Sequence, residues 1–205
     1  MPLGDRMSLP DLYILRHGET EWNRAGRWQG RQDSPLTERG LAQARAQGAL
    51  LRDLALSSET TRLISSPQGR ARRTAAIVAE VAGWTGPILE DDRLVEIDVG
   101  DWTGLTRDAM RASVDRPDGA GFLSLYARAP NGEAFADLWA RCASFLFDQS
   151  GPAVVVTHGI TSRFLRAVAL GMEVDDAEDL PGGQGVIHRV VSGSHATLAP
   201  GDSPA

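Results

Sequence analysis

The residues Ala153-Val154-Val155-Val156-Thr157 make an unbroken, mostly apolar run that stops at His158-Gly159. A run this short and this rich in β-branched side chains suits a strand covered on both faces, and such strands belong to sheets packed between helices. The rest of the chain keeps the same rhythm. Leu12-Tyr13-Ile14-Leu15 reads as a first strand that ends at Arg16-His17-Gly18-Glu19. Arg62-Leu63-Ile64-Ser65-Ser66 reads as a second, stopped by Pro67, and Pro87 to Leu89 as a short third. Helical periodicity fills the intervals: from the N-cap Thr37 to about Leu54, from about Arg70 to Ala82, from Asn131-Gly132-Glu133 to about Gln149, and after Gly159 through Leu170. Val186 to Val191 and His195 to Leu198 read as a closing hairpin, whereas Thr20 to Pro35 and Leu94 to Gly104 read as loops. Strands alternating with helices predict right-handed crossovers and a mostly parallel sheet, hence a three-layer α/β/α sandwich.

At 205 residues the chain suits one domain, expected over 11–199, with flexible ends at 1–10 and 200–205. Hydrophobic content of 42% and charged content of 23% are those of a globular protein. A net charge of −6 gives no reason to expect nucleic acid or an anionic membrane as a partner. All 21 basic residues are arginine. Genome composition can produce that, but the chemical consequence stands: Schiff-base catalysis and P-loop phosphate binding through lysine are excluded. The single cysteine, Cys142, falls on the apolar face of a predicted helix and reads as a small buried hydrophobe. With no internal disulfide possible, no signal-like apolar stretch at the start and no membrane-length span, the expected location is the cytoplasm.

Parallel strands place their C-terminal ends along one edge, so His17, Arg70 and His158 are expected in one crevice despite their distance in sequence. Arg70 and His158 also fall near helix N-termini, where free N–H groups favour an anion. Two arginines, two histidines and helix ends make a site for a compact dianion. Phosphate is the first candidate, because planar guanidinium forks match its oxygens. Each piece alone is weak, since a strand-end histidine is more often structural; the threefold repetition carries the argument.

The runs LYILRHGETEWN, SSPQGRARRTA, LVEIDVGDWTG, PNGEAF and VVVTHG, in this order, resemble the histidine phosphatase superfamily, the phosphoglycerate mutase-like proteins. The resemblance extends over roughly Leu12 to Leu170. It implies that His17 takes the phosphoryl group, that Arg16 and Arg70 hold the phosphate, and that His158 is the second histidine of the pocket. It also implies that Asn23 contacts phosphate oxygens and that Glu96 protonates the leaving group; Gln29 and Gly30 match substrate contacts more loosely. For these roles His17 must be neutral at its attacking nitrogen, so the other nitrogen should donate to an acceptor such as a backbone carbonyl. Glu96 must hold a proton, and Asp98 and Asp101 are the carboxylates expected to help it. The scheme is ping-pong and calls for no metal or cofactor.

Within the superfamily, mutases carry His-Tyr-Gly after the acid and a nearby lysine. Here Glu96 is followed by Ile97-Asp98-Val99-Gly100-Asp101-Trp102, and lysine is absent. The expected activity is therefore hydrolysis of a small phosphorylated metabolite. Mutase-type transfer and a non-catalytic phospho-ligand binder are the alternatives. Gln68-Gly69 stands where relatives often have an apolar residue, an expected loosening of the helix start without effect on the chemistry. The loops Trp22 to Asp33 and Thr106 to Arg128 are the expected specificity surface. Trp22, Trp28 and Trp102 are read there as loop anchors or as a wall for an organic leaving group. His188 and His195 are read as surface or cross-strand residues, Arg72 and Arg73 as solvated, and Glu133 as chiefly structural.

Overall fold

A computed structural model describes residues 9–112 and 121–201. Six strands form a single sheet in the order β3-β2-β4-β1-β5-β6. They are β1 (Leu12–Arg16), β2 (Arg62–Ser65), β3 (Ile88–Glu90), β4 (Ala153–Thr157), β5 (Ile187–Val191) and β6 (Ser194–Leu198). The pairs β1–β4, β4–β2 and β2–β3 are parallel, and only β5 runs against the others. The Val-rich run occupies the middle of the sheet, where both faces are covered.

Alternation along the strands builds two cores. Leu12 and Ile14 of β1 join Ala153 and Val155 of β4 on one face. Tyr13 and Leu15 join Val154 and Val156 on the other. Helices α6 (Phe135–Phe147) and α7 (Gly159–Leu170) cover the first face through Leu138, Phe145, Phe164 and Leu165. Helices α2 (Glu38–Asp53) and α3 (Gly69–Ala82) cover the second through Leu50, Leu51, Ala75 and Val78. Each fully buried Val or Leu contributes about 1.5–3 kcal/mol relative to exposure. That burial holds the β1 and β4 tips in place. Gln47 of α2 pins the β1 tip further, donating from Nε2 to the Arg16 carbonyl at 3.0 Å and the Val186 carbonyl at 2.9 Å.

Gly18 is required by a close approach of two backbones. A Cβ there would lie 2.2 Å from the Gly40 carbonyl oxygen, and one on Gly40 would lie 2.0 Å from the Glu19 carbonyl oxygen. The strand exit and the first turn of α2 approach backbone to backbone, which only paired glycines permit.

Several elements depart from the sequence reading. The Thr20–Pro35 segment contains a one-turn helix, α1 (Glu21–Arg24), closed by a capping box between Thr20 and Asn23. The expected loop from Leu94 to Gly104 begins and ends in 3-10 turns, Asp92–Leu94 and Gly100–Trp102. Helix α6 starts at Phe135 rather than at Asn131, because Asn131 has φ +58° and Glu133 spends its carboxylate elsewhere. The helices α4 (Arg107–Ala112) and α5 (Leu123–Tyr126) lie in the segment read as a specificity loop, of which 113–120 fall outside the described residues. The expected flexible ends fall outside them at 1–8 and 202–205. No helix of the described residues is long and apolar enough to cross a membrane.

Candidate active site

The C-terminal tips of β1, β2 and β4 deliver Arg16-His17, Ser66 and His158 to one edge, as parallel pairing requires. His17 is buried, and its Nδ1 lies 2.7 Å from the Gly18 carbonyl oxygen. A carbonyl can only accept, so the ring proton sits on Nδ1. The other nitrogen agrees: Arg70 Nε donates to His17 Nε2 at 3.2 Å, which requires a lone pair there. Burial, then the Arg70 and Arg16 cations, hold the His17 pKa well below 6.5. The imidazole is thus neutral, with Nε2 facing the cations.

Arg70 enters from the first turn of α3 with almost no exposure. It donates from Nη1 to the Gln32 carbonyl at 2.6 Å and to Asp33 Oδ1 at 3.0 Å, and from Nη2 to the Gly30 carbonyl at 3.0 Å. Asp33 Oδ1 also accepts from the Arg70 amide, so it caps α3 and pairs with the guanidinium at once. Sequence reasoning passed over Asp33, although its place in a polar loop ahead of the arginine was the available signal. Gly69 leaves the room, since a Cβ there would sit 2.2 Å from Asp33 Oδ2.

Arg16 contrasts with Arg70. Among the described residues its Nε is buried without a hydrogen-bond partner. The guanidinium lies over Gly159, whose added Cβ would meet Arg16 Cζ at 3.3 Å. Burial lowers its pKa while Glu96 opposes the shift, and an arginine remains charged throughout.

His158 is wholly buried, with its ring centroid 5.1 Å from that of His17. Its Nε2 lies 2.8 Å from Ser66 Oγ, and its Nδ1 has no partner among the described residues. Burial, Arg70, His17 and Arg16 together hold its pKa well below 6.5. Ser66, absent from the sequence-level site, therefore fixes this ring.

Glu96 reaches α7. Its Oε1 accepts from the Thr161 amide and hydroxyl and from the Ile97 amide, and its Oε2 accepts from the Ile160 amide. At the helix starts, Asp33 takes the Arg70 amide of α3 and Glu96 takes the Ile160 and Thr161 amides of α7. One expectation is corrected: Asp98 and Asp101 do not attend Glu96, since Asp98 Oδ1 accepts from the Gly100 amide and Asp101 Oδ2 from Asn131. Gln68 also bears on the site, contrary to its expected neutrality. Its Nε2 donates to the Gly30 carbonyl at 3.0 Å and its Oε1 accepts from the Glu96 amide at 2.7 Å, stitching the two together.

Arg16, His17, Asn23, Gln29, Gly30, Arg70 and Glu96 line one cavity of about 240 Å³. Asn23 Oδ1 accepts from the Thr20 amide and from Gln184 Nε2, which also holds the His17 carbonyl. Gln29 is tied up inside the loop, donating to Thr20 Oγ1 and accepting from Ser34 Oγ, which suits a positioning role better than ligand contact. Gly30, at φ +50°, acts through its carbonyl on Arg70 and Gln68.

Comparison with known proteins gives the chain its family. The profile of the histidine phosphatase superfamily, branch 1, matches residues 12–197. The chain belongs to this superfamily. It is 33% identical over 171 residues to the "Probable phosphoglycerate mutase GpmB" of Erwinia tasmaniensis, covering 78% of this chain and 75% of that one. A mycobacterial glucosyl-3-phosphoglycerate phosphatase complexed with VO3 superposes with a TM-score of 0.73 at 27% identity, covering 92% of this chain and 96% of that one. The alpha-ribazole phosphatase from Shigella flexneri shares the fold, with a TM-score of 0.75 at 24% identity, covering 94% and 96%.

The remaining residues singled out from the sequence of this superfamily member fall into place around the site. Trp28 is buried, stacks on Tyr126 at 3.9 Å between centroids and lines the cavity. Trp102 is core, edge-on to Trp28, and Trp22 packs over Gly104. His188 is buried rather than on the surface and stacks on His195 across the hairpin. Glu133 binds Arg141 at 2.6 Å, and also reaches Arg31 and the Asp98 amide. Arg72 makes an exposed pair with Glu90. Burial pushes the Cys142 thiol up to about 12, as fits an inert core residue.

Proposed function

We propose that this histidine phosphatase hydrolyses a small phosphate monoester through a phosphohistidine on His17, without a metal. The observation that carries this reading is the His17 ring itself. Its proton is fixed on Nδ1 by the Gly18 carbonyl, and its Nε2 faces Arg70. In the proposed course a dianionic phosphoryl group settles against Arg16, whose Nε has no partner among the described residues, and draws the Arg70 Nε–H away from His17. Nε2, now free, attacks phosphorus. The P–O bond to the alcohol breaks, and the leaving oxygen takes a proton from Glu96, which enters this step as the carboxylic acid and leaves it as the carboxylate. Water then attacks the phosphohistidine, gives its proton back to Glu96 and releases phosphate and neutral His17. His158 Nδ1 supplies a further donor if the Ser66 hydroxyl proton points at Nε2. The guanidinium forks take up the charge on the equatorial oxygens, a role other phosphoryl-transfer sites give to Mg²⁺.

The names of mutase relatives favour a second reading, phosphoryl transfer between positions of one substrate. The lysine-free chain and the Ile97–Trp102 sequence argue for water as the acceptor. A panel of phosphate monoesters scored for released phosphate, beside 3-phosphoglycerate with 2,3-bisphosphoglycerate, separates the two. Phosphate release that survives EDTA is expected. Rapid isomerisation of the glycerate with little phosphate release would overturn the phosphatase reading.

A further inference from the structure

Glu96 stands on a wall shared by two cavities. One is the cavity that holds His17; the other, of about 250 Å³, lies beyond Arg16 and shares Trp28, Arg107 and Tyr126 with the first as well. On the proposed course the leaving oxygen meets the Glu96 carboxyl at this wall, and a proton donor is worth only as much as its alignment with the reacting group. Arg70 comes from α3, whereas Glu96 comes from the segment after the 3-10 turn Asp92–Leu94. Their relative placement is therefore set by contacts across the fold.

One side chain bridges the two. Gln68 is the N-cap of α3, yet its side chain makes no hydrogen bond to that helix, whose Arg70 amide is capped by Asp33 instead. The carboxamide reaches sideways. Its Nε2 donates to the Gly30 carbonyl at 3.0 Å, and the same oxygen accepts from Arg70 Nη2 at 3.0 Å. Its Oε1 accepts from the Glu96 amide at 2.7 Å. The Gln68 backbone amide donates to Ser66 Oγ at 3.3 Å, and that hydroxyl lies 2.8 Å from His158 Nε2. The bridge needs a carboxamide, because one planar group must donate at one end and accept at the other. The same two segments have a separate brace on their outer flank. Glu133 accepts from Arg31, next to Gly30, and from the Asp98 amide, two residues past Glu96. Gly30 also packs closely on Val99, where an added Cβ would lie 2.8 Å from Cγ2. The segments are docked without Gln68, so what its side chain adds is alignment.

We propose that Gln68 is a positioning residue for the proton donor: it ties the Glu96 backbone to the carbonyl that orients Arg70, and so sets where the acid stands relative to the phosphoryl group. It acts through Glu96 and Gly30, which line the His17 cavity, and does not line that cavity itself. The inference rests on the phosphatase reading and deepens it. A misaligned acid costs most where the leaving oxygen most needs a proton. p-Nitrophenolate spreads its charge into the nitro group and departs with little help, whereas phenolate holds its charge on oxygen.

The test compares kcat/KM for phenyl phosphate and p-nitrophenyl phosphate, two substrates of similar shape, in wild type, Gln68→Met and Glu96→Gln. kcat/KM reports the departure of the leaving oxygen, before hydrolysis of the phosphohistidine common to both. Glu96→Gln gives the signature of a missing acid, a larger loss on phenyl phosphate than on p-nitrophenyl phosphate. Gln68→Met keeps the length of the side chain and removes both bonds. It is expected to show the same signature at smaller amplitude, with about a tenfold fall on phenyl phosphate and about a twofold fall or less on p-nitrophenyl phosphate. Because the ratio compares two substrates on one preparation, a partly misfolded variant cannot mimic the result. Equal losses on both substrates in Gln68→Met, no loss on either, or a selective loss that Glu96→Gln does not share would overturn the inference while leaving the phosphatase reading intact. Phosphate release from neither substrate by the wild-type protein would overturn the phosphatase reading and the inference with it.

Discussion

The two chambers on either side of Arg16 and Glu96 are built on opposite plans. In the first, His17 and Arg70 are already tied to the protein. Gly18 sets the His17 tautomer, and Asp33, Gln32 and Gly30 clamp Arg70. In the second, Arg163 rests on a carbonyl and a ring, and the Arg107 and Arg111 side chains make no hydrogen bond or ion pair with another described residue. The difference teaches a division of labour. On the proposed reading, chemistry on a phosphoryl group rewards preorganised donors, and the second chamber is not built for that step.

Replacing the clamped cation should break the contrast most strongly. Arg70→Gln is expected to lower kcat by about 10²–10³-fold, the usual cost of a donor to transition-state charge, and to do so alike for charged and uncharged monoesters. Steady-state kinetics on two substrates checks this; a loss confined to one of them would place Arg70 in recognition instead. Asp33→Asn removes the charge that holds Arg70 while keeping most of the shape. About a tenfold fall in kcat is expected, with little change in the preference between leaving groups. Unchanged kcat would mean that the Gln32 and Gly30 carbonyls position Arg70 alone.

The smallest effect concerns pH. His17 and His158 in the first chamber, and His188 beside the second at about 3, all have folded-state pKa values lowered by burial. In the unfolded chain each titrates near 6.5. Below 6.5 the unfolded state therefore binds protons that the folded state refuses, so stability is full above pH 6.5 and is lost as pH falls toward the depressed values. Each histidine contributes up to about 1.4 kcal/mol per pH unit in that window. Denaturant midpoints between pH 7.5 and 5 should fall, and His17→Gln and His188→Gln should each flatten the slope. A slope unaffected by either variant would show that these rings do not stay neutral when folded.

The sheet, its layers and the meeting of His17, Arg70 and His158 were legible because they depend on periodicity and on the rule that parallel strands share an edge. Even the Gly18 carbonyl was anticipated as a kind of partner, since a neutral nucleophile demands one. What local pattern could not reveal were contacts made across the fold. Asp33 and Gln68 look like ordinary loop and cap residues until α3 docks, and Glu96 cannot be seen to occupy the α7 amides from its own neighbours. At the helix starts expected to favour phosphate, the Arg70, Ile160 and Thr161 amides are held by the Asp33 and Glu96 carboxylates, contacts that no local pattern shows. For His188 the sequence left surface and cross-strand places open; β5 lies inside the sheet beside β1, and the ring is buried in a cross-strand contact with His195.

Trapping the covalent intermediate tests the central claim most directly. Enzyme mixed with a 32P-labelled monoester and quenched within milliseconds should carry label that survives base and is lost in acid, as a phosphoramidate requires, and that is absent from His17→Ala protein. Label that survives acid, or phosphate release by His17→Ala at the wild-type rate, would contradict the account.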